Sequence, residues 1–307
     1  MNRRNFLRGS GLAAAACALG GVRGRAQEAE QSRQVAPGSF TFAFFTDVHI
    51  EPEMDAPQGT ELAMDIMNAS DAEFAICGGD HVFDALAVHK ERIIEQYELY
   101  TQTEKALRMP VWHVLGNHDV AGLETSMSSH DAIYGKAMFE QTFKTPTYYS
   151  FQHKGVNFIV LDSILIDGRD WYPEIDFRQV GWLERVLEAN KAVPQIVISH
   201  VPLVTSMASY GPGSNDKKYM PVSNAGEIFP MLEKYNVIAL LQGHTHIVED
   251  VHRHGIQHVT GGSVCGNWWH GTQYGDREGV TLVTVDNGTI STGYVPTGFV
   301  TEEPENT

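Results

Sequence analysis

Short apolar runs alternate with amphipathic stretches along most of the chain. Six of these runs predict buried strands, at residues 40–45, 74–77, 111–115, 156–161, 196–199 and 237–241. Apolar residues that recur at helical spacing predict helices near residues 60–69, 88–107, 179–188 and 225–234. Alternation of strands and helices is typical of β-α-β units, so we expect an α/β domain.

The C-terminal part of the chain has a different hydrophobic pattern. From residue 247 onward the pattern changes to short strands and turns, and His254-Gly255 and Asn287-Gly288 predict hairpin turns. The sequence shows no internal repeat and no second linker, so a single domain is the simplest account. The predicted divisions are a linker at 27–38, a domain at 39–300 with a β-rich tail at 247–300, and a disordered C-terminus at 301–307.

The first residues have the pattern of an export signal. Arg3 and Arg4 precede an apolar run at residues 11–22, and the small residues at 24–26 offer a cleavage site. The order Arg-Arg-Asn-Phe-Leu-Arg resembles a twin-arginine signal. Because the run falls short of the roughly 20 apolar residues that span a bilayer, we expect no stable membrane span after cleavage of residues 1–26. The expected route is the twin-arginine machinery, and the expected location is periplasmic or extracellular.

The three cysteines modify this picture only slightly. Cys17 follows a run of alanines inside the signal and is an alternative lipid-anchor site, although it lacks the leucine that usually precedes a lipidated cysteine. Cys77 and Cys265 remain after cleavage, one in an apolar run and one in a glycine-rich segment. They do not indicate a disulfide framework.

The net charge of the chain limits the kinds of molecule that it can bind. The formal charge of −16 becomes about −21 on cleavage, because residues 1–26 contain five arginines and no acidic residue. A strongly acidic surface repels long polyanions, so we exclude polymeric nucleic acid as a partner. Small phosphorylated substrates remain compatible with this charge if bound cations invert the local field. The oligomeric state has no signature in the sequence.

Side chains that can bind metals or transfer protons follow five of the predicted strands. Each motif taken singly also fits an ordinary turn or a structural histidine. Open α/β sheets, however, bind ligands at the carboxyl ends of their strands, so five such ends favour one shared site. The motifs are Asp47-x-His49, Gly79-Asp80, Asn117-His118-Asp119, His200 and His244-x-His246.

The donor types indicate the kind of metal. Nitrogen and oxygen donors without sulfur suit Mn, Fe, Zn, Co or Ni. For Asp47 and His49 we expect an extended backbone, in which residues two apart point the same way and converge on one point. His81 and His113 flank the motifs and fit either a supporting role beside the site or a purely structural one.

The five motifs, in this order, resemble those of the calcineurin-like metallophosphoesterase family over about residues 41–246. The resemblance implies an α/β fold, a four-layer α-β-β-α sandwich of two mixed β-sheets flanked by helices. It also implies a binuclear centre of two divalent or trivalent ions bridged by Asp80. The implied ligands are Asp47, His49 and His246 for one ion, and Asn117, His200 and His244 for the other.

The resemblance assigns proton transfer to the third motif. It implies that His118 is an acid facing the substrate and that Asp119 lies beside it to orient or polarise the ring. In one respect the chain departs from the family. Many members carry an acid or amide three residues after the bridging aspartate, where this chain has Phe83. Asp84 is the nearest carboxylate, and we assign it no metal role.

The ligand set predicts the reaction. Two cations roughly 3.5–4 Å apart can clamp phosphoryl oxygens and turn a bridging water into hydroxide near neutral pH. We expect in-line attack of that hydroxide on a small phosphodiester or phosphomonoester, with the diester slightly favoured. The alternatives are a catalytically silent metal-binding or scaffold domain and a metal-dependent hydrolase of a non-phosphate bond.

The glycine-rich tail contains candidate substrate contacts at Asn267, Trp268 and Trp269. One interpretation places the paired tryptophans as an aromatic wall over the metal site, where they would stack on a base, sugar or lipid headgroup. The other places them in the core, which they would simply close. The sequence favours neither.

Overall fold

The computed structural model describes residues 38–210 and 221–304. These residues form thirteen strands and six helices. The strands are β1 (Phe40–Phe45), β2 (Ala72–Cys77), β3 (Val111–His113), β4 (Tyr149–His153), β5 (Val156–Leu161), β6 (Ile164–Asp167), β7 (Asp170–Pro173), β8 (Gln195–Ser199), β9 (Val237–Gln242), β10 (Val248–Arg253), β11 (Ile256–Gly261), β12 (Gly279–Asp286) and β13 (Thr289–Pro296). The helices are α1 (Ala56–Ala69), α2 (Lys90–Glu104), α3 (Ala137–Phe143), α4 (Phe177–Ala189), α5 (Met207–Tyr210) and α6 (Ala225–Lys234).

Most strands belong to two mixed sheets. The first has the order β13-β12-β1-β2-β3, with parallel pairing of β1, β2 and β3 and antiparallel pairing at β12 and β13. The second has the order β10-β11-β9-β8-β5-β4, parallel from β11 to β5 and antiparallel at both edges. A separate two-stranded hairpin pairs β6 with β7. Parallel strands require crossovers, which the helices provide.

Apolar side chains on both faces of each sheet produce four layers. Between the sheets, Phe42 and Phe44 of β1 pack in one cluster with Phe158 of β5 and Ile198 of β8. The outer face of the first sheet carries α1 and α2, and the outer face of the second carries α4 and α6. Strands buried on both faces appear in the sequence as continuous apolar runs, which is why the pattern located them. The predicted four-layer sandwich of two mixed sheets is confirmed.

The hydrophobic pattern located most of the helices and strands and missed several short elements. The strand at residues 156–161, the helix at 225–234 and both hairpin turns agree with the structure. The helix expected near 60–69 begins earlier, at Ala56, with a proline in its first turn. The pattern did not predict α3 or the β6–β7 hairpin, because two helical turns or four strand residues give too few repeats of either period.

Some sequence predictions lie outside the described residues. These are the cleaved signal at 1–26, the lipid-anchor alternative at Cys17, residues 27–37 of the linker, and the last three residues of the C-terminal segment. Within the described ranges, no helix has the length and apolar character that a membrane crossing requires.

Helix α1 packs closely against Trp269, and this contact predicts the effect of a substitution on stability. A Cβ at Gly59 would lie 2.1 Å from Cζ3 of Trp269, whose ring is fully buried. We expect Gly59→Ala to lower the free energy of unfolding by about 1–3 kcal/mol through overpacking. Urea denaturation measures the change.

Gly181→Ala is the matched control. This glycine also lies inside a helix, and its added Cβ would meet only Arg185 Nη1, at 3.7 Å. Alanine should stabilise that helix by about 0.5–1 kcal/mol. Equal effects of the two substitutions would contradict the close contact between α1 and Trp269.

Candidate metal centre

The motif residues converge where strands of both sheets end. Asp47 and Asp80 follow β1 and β2 of the first sheet, whereas His200 and His246 follow β8 and β9 of the second. His200 Nε2 lies 3.1 Å from Asp80 Oδ2, and His246 Nε2 lies 3.4 Å from Asp47 Oδ1. The packing of the two sheets therefore brings together side chains that are more than 100 residues apart in the sequence.

The backbone of the motifs is left-handed, not extended. Asp47 and His49 have φ values of 54° and 45°. The same holds for Asp80 at 53°, His244 at 70° and His246 at 59°. The expectation that Asp47 and His49 converge along an extended strand is therefore wrong, and a tight turn brings them together instead. Left-handed backbone is costly for residues with a Cβ and clusters at functional sites.

Potential ligand atoms form two groups that share Asp80. In one group, atoms of Asp47, His49 and Asp80 lie within 4.8 Å of one another. His246 joins this group, since its Nε2 is 3.2 Å from His49 Nε2. The second group contains Asp80, His200 and His244 within the same limit.

Asn117 completes the second group. Its Oδ1 lies 3.2 Å from His200 Nε2, and its side chain is almost fully buried. The structure thus brings together all seven residues that the sequence nominated as ligands. Cys265 lies near the first group, but its Sγ is 3.7 Å from Nδ1 of His246, on the side of the ring away from Asp47.

Backbone carbonyls determine which nitrogen of three rings carries the proton. His49 Nδ1 lies 3.2 Å from Phe83 O, His200 Nδ1 lies 2.9 Å from Gly78 O, and His246 Nδ1 lies 2.7 Å from Gly266 O. A carbonyl oxygen can only accept, so each Nδ1–H donates to it. In the neutral rings, each Nε2 therefore directs a lone pair at the shared site, the arrangement that metal-binding histidines adopt.

These lone pairs fit a bound cation. His49 Nε2 and His246 Nε2 face one another inside a buried cluster that also holds two carboxylates. Burial, which disfavours the charged ring, lowers the pKa of His49 to about 3 even though Asp80 is close. The other two rings behave differently. In His200, burial is outweighed by Asp80, which raises the pKa of the ring to about 9. In His246, burial is outweighed by Cys265 and Asp47, which raise the pKa of the ring. Divalent cations would take the place of the protons that these two rings hold.

Two glycines of the motifs are required by close packing. A Cβ at Gly116 would lie 2.1 Å from Asp80 Oδ1, and a Cβ at Gly243 would lie 2.6 Å from Asp47 Oδ2. The Asp47 carboxylate accepts from Thr46 Oγ1 at 2.6 Å and from the backbone N–H of His244 at 2.9 Å. Any side chain in place of these glycines would displace the carboxylates.

His118 lies at the rim of this cluster, and its carboxylate partner is Asp84. The ring is 23% exposed, and Nδ1 lies 3.4 Å from Asp84 Oδ1. Burial lowers the pKa of His118, but Asp80 and Asp84 outweigh it, so the pKa is raised. The sequence assigned Asp84 no metal role and did not predict this contact, and the only signal was that Asp84 is the next carboxylate after Asp80.

The expected contact between Asp119 and His118 is absent among the described residues. Asp119 is fully buried and accepts from the backbone N–H groups of Asp80, His81 and Gly116, at 2.9–3.0 Å. The ring of His81 also donates to Asp119, at 2.9 Å. The prediction that Asp119 orients His118 is corrected, because both carboxylate oxygens already hold the loop that presents Asp80.

The tail loop contacts the centre through hydrogen bonds to two of its histidines. Gly266 O accepts from His246, and Trp269 Nε1 donates to His49 O at 2.9 Å. Trp269 is fully buried in the core with α1, so its predicted substrate contact is wrong. Trp268, in contrast, lies over the His49 ring with centroids 3.9 Å apart. Asn267 donates its backbone N–H to Gly271 O, and its expected substrate contact stays a prediction.

Comparison with known families agrees with this geometry. Residues 40–248 match the sequence profile described as calcineurin-like phosphoesterase. The chain therefore belongs to the calcineurin-like phosphoesterase family. Residues 1–20 match the signal sequence of the twin-arginine translocation pathway, which implies export across a membrane by that machinery. A search of curated proteins found no significant match.

Solved structures share the fold at low identity. A dimetal phosphatase from Danio rerio is 14% identical, with 82% of this chain and 98% of that chain covered and a TM-score of 0.61. GAP50, described as the anchor in the inner membrane complex of Plasmodium, is 18% identical, with 87% and 88% covered and a TM-score of 0.56. Identities in this range show a common fold alone.

The two groups of donors predict a metal-binding pattern. We expect two ions per chain when chelator-treated protein is titrated calorimetrically with Mn²⁺ or Zn²⁺. Asp80→Asn should weaken both sites by more than the roughly 10–100-fold that loss of an outer hydrogen-bond partner costs. Asp47→Asn should weaken only one of them. The exposed Asp65→Asn is the control, and two unchanged sites in Asp80→Asn would contradict a shared ligand.

The revised role of Asp119 predicts a loss of stability. Asn in its place could not accept from the three backbone N–H groups and the His81 ring together, so a buried hydrogen-bonded pair would be broken. We expect Asp119→Asn to lower the free energy of unfolding by about 3–5 kcal/mol. If Asp119→Asn unfolds in urea like the wild type but transfers protons to the leaving group more slowly, Asp119 orients His118 after all.

Proposed function

We propose that this chain is an exported, two-metal phosphoesterase that hydrolyses a small phosphodiester or phosphomonoester. Asp80 would bridge the ions, with Asp47, His49 and His246 on one side and Asn117, His200 and His244 on the other. The observation that carries the proposal is the convergence of three carbonyl-fixed imidazole Nε2 atoms on two buried carboxylates. Family membership supports it.

The metals supply the chemistry that the side chains lack. Bound cations of the Mn, Fe, Zn, Co or Ni type polarise phosphoryl oxygens and lower the pKa of a coordinated water. The protein contributes a preorganised frame, because backbone carbonyls and N–H groups hold the ligand side chains before the substrate arrives. The net negative charge of the rest of the chain favours a small substrate over a polymeric one.

His118 would protonate the departing alcohol. The contact with Asp84 fixes Nδ1, so Nε2 is the nitrogen available to the substrate. Burial lowers the pKa of the ring, and the hydrogen bond to Asp84, which is not among the proposed ligands, opposes this and favours the protonated form that an acid needs. General acid catalysis of this kind typically contributes about 10²- to 10⁴-fold. Asp84 therefore replaces Asp119 as the residue that orients the acid.

Leaving-group dependence tests this assignment. Metal-loaded protein should hydrolyse p-nitrophenyl esters and alkyl esters of phosphate, and Asp80→Asn should abolish both activities. His118→Gln should slow the alkyl ester by about 10²- to 10⁴-fold, because a poor leaving group needs the proton. The p-nitrophenyl ester should be affected much less, since p-nitrophenolate leaves without one. Steady-state kcat and KM on both substrates measure the difference.

The variants at Asp84 and Asp65 complete this test. Asp84→Asn should reproduce part of the His118→Gln effect on the alkyl ester, whereas the exposed Asp65→Asn should leave both rates unchanged. Equal slowing of the two esters in His118→Gln would mean that the ring does not protonate the leaving group. Metal binding without turnover of any phosphoester would favour a binding role instead.

A further inference from the structure

Two aromatic rings form a corner at the edge of the metal centre. Trp268 and Phe83 have ring centroids 5.2 Å apart and an interplanar angle of 71°, so the face of one ring meets the edge of the other. Both side chains are half-buried. The corner comes from two remote segments, the loop after β2 and the tail loop before β12. We call this pair the aromatic corner.

The aromatic corner lies beside the residues that would act on the leaving group. The ring of Trp268 lies 3.9 Å from that of His49 and 4.9 Å from that of His118, centroid to centroid. Phe83 also approaches His49, at 6.4 Å. If His118 protonates the departing oxygen, the group attached to that oxygen would lie close to Trp268, against which Phe83 packs.

The backbone at Trp268 is strained. Its φ is 52°, in the left-handed region that residues with a Cβ rarely adopt, and the φ of Trp269 is 67°. The neighbouring Trp269 explains part of the arrangement, since its burial and its bond to His49 O anchor the loop. The anchored loop then presents Trp268 at the metal centre while keeping it partly accessible.

We propose that the aromatic corner binds a flat aromatic ring in the leaving group of the substrate. This inference rests on the proposed phosphoesterase function and narrows its substrate class. A ring can stack on one aromatic face and meet the edge of the other, which are the two geometries that aromatic pairs prefer. A saturated group of the same size would fill the corner without these interactions.

A pair of substrates of similar size distinguishes the effect of an aromatic ring in the leaving group from the effect of its volume. Benzyl phosphate and cyclohexylmethyl phosphate, as monoesters and as methyl diesters, differ in aromaticity but have leaving alcohols of similar basicity. We expect wild-type kcat/KM to favour the benzyl ester by roughly 2- to 10-fold, the size expected for one aromatic pair. Trp268→Leu should bring this ratio close to one, and Trp268→Phe should retain part of it.

A general loss of activity does not change the ratio of the two kcat/KM values, because both esters are hydrolysed by the same reaction. Leu and Phe meet the same left-handed backbone as Trp268, so the two variants differ mainly in the ring. Phe177→Leu, which removes an aromatic side chain that is 81% exposed, should leave the ratio unchanged. A wild-type ratio near one, or a ratio that survives in Trp268→Leu, overturns the proposal.

A binding experiment tests the aromatic corner independently of the proposed phosphoesterase function. Affinities of benzylphosphonate and cyclohexylmethylphosphonate for the metal-loaded protein are measured by calorimetry, which requires no turnover. A benzyl preference that disappears in Trp268→Leu supports the aromatic corner even if no phosphoester is hydrolysed. Equal affinities in the wild type overturn the corner, whether or not the protein is an active phosphoesterase.

Discussion

Convergence of electron-rich atoms on Asp80 is the constraint on which the rest of the site depends. One of its oxygens lies close to both His49 and His200, and the other accepts the backbone N–H of His118. Asp119 holds the peptide groups on either side of this position. Buried carboxylates require nearby positive charge, which protons on His200 and His246 or bound cations can supply. Family membership and the cluster of donor atoms together favour a metal centre.

Stability and site geometry are coupled through the loops at the strand ends. Left-handed residues such as Asp47, Asp80 and His246 each cost of order 1–3 kcal/mol. The apolar cluster between the two sheets and the cluster beneath α1 offset that cost. Trp269 belongs to the second cluster and also bonds to His49 O, so one side chain both fills the core and positions a ligand. The tail loop is thus a structural part of the metal centre.

Residues of the same type near the site have different roles. Asp84 contacts His118, whereas Asp119, next to it in sequence, holds backbone groups behind Asp80. Trp268 lies over the site, whereas Trp269 is in the core. In each pair, only the direction of the side chain decides the role. That direction depends on backbone torsions and distant contacts, which residue type and spacing do not report.

The sequence by itself determined the alternation of strands and helices, the placement of the motifs at strand ends, and membership of the family. These features are local, because a buried strand is apolar along its length and a motif follows it directly. Tertiary structure alone decided which carboxylate meets His118, which nitrogen of each ring faces the site, and which tryptophan is accessible. Each of these depends on contacts between separate segments. His200 contacts Gly78 O, 122 residues away and after a strand of the other sheet, whereas the contacts of His118 with Asp84 and of His246 with Gly266 O join loops 34 and 20 residues apart. Such contacts form only when the chain has folded, so residue type and spacing do not report them.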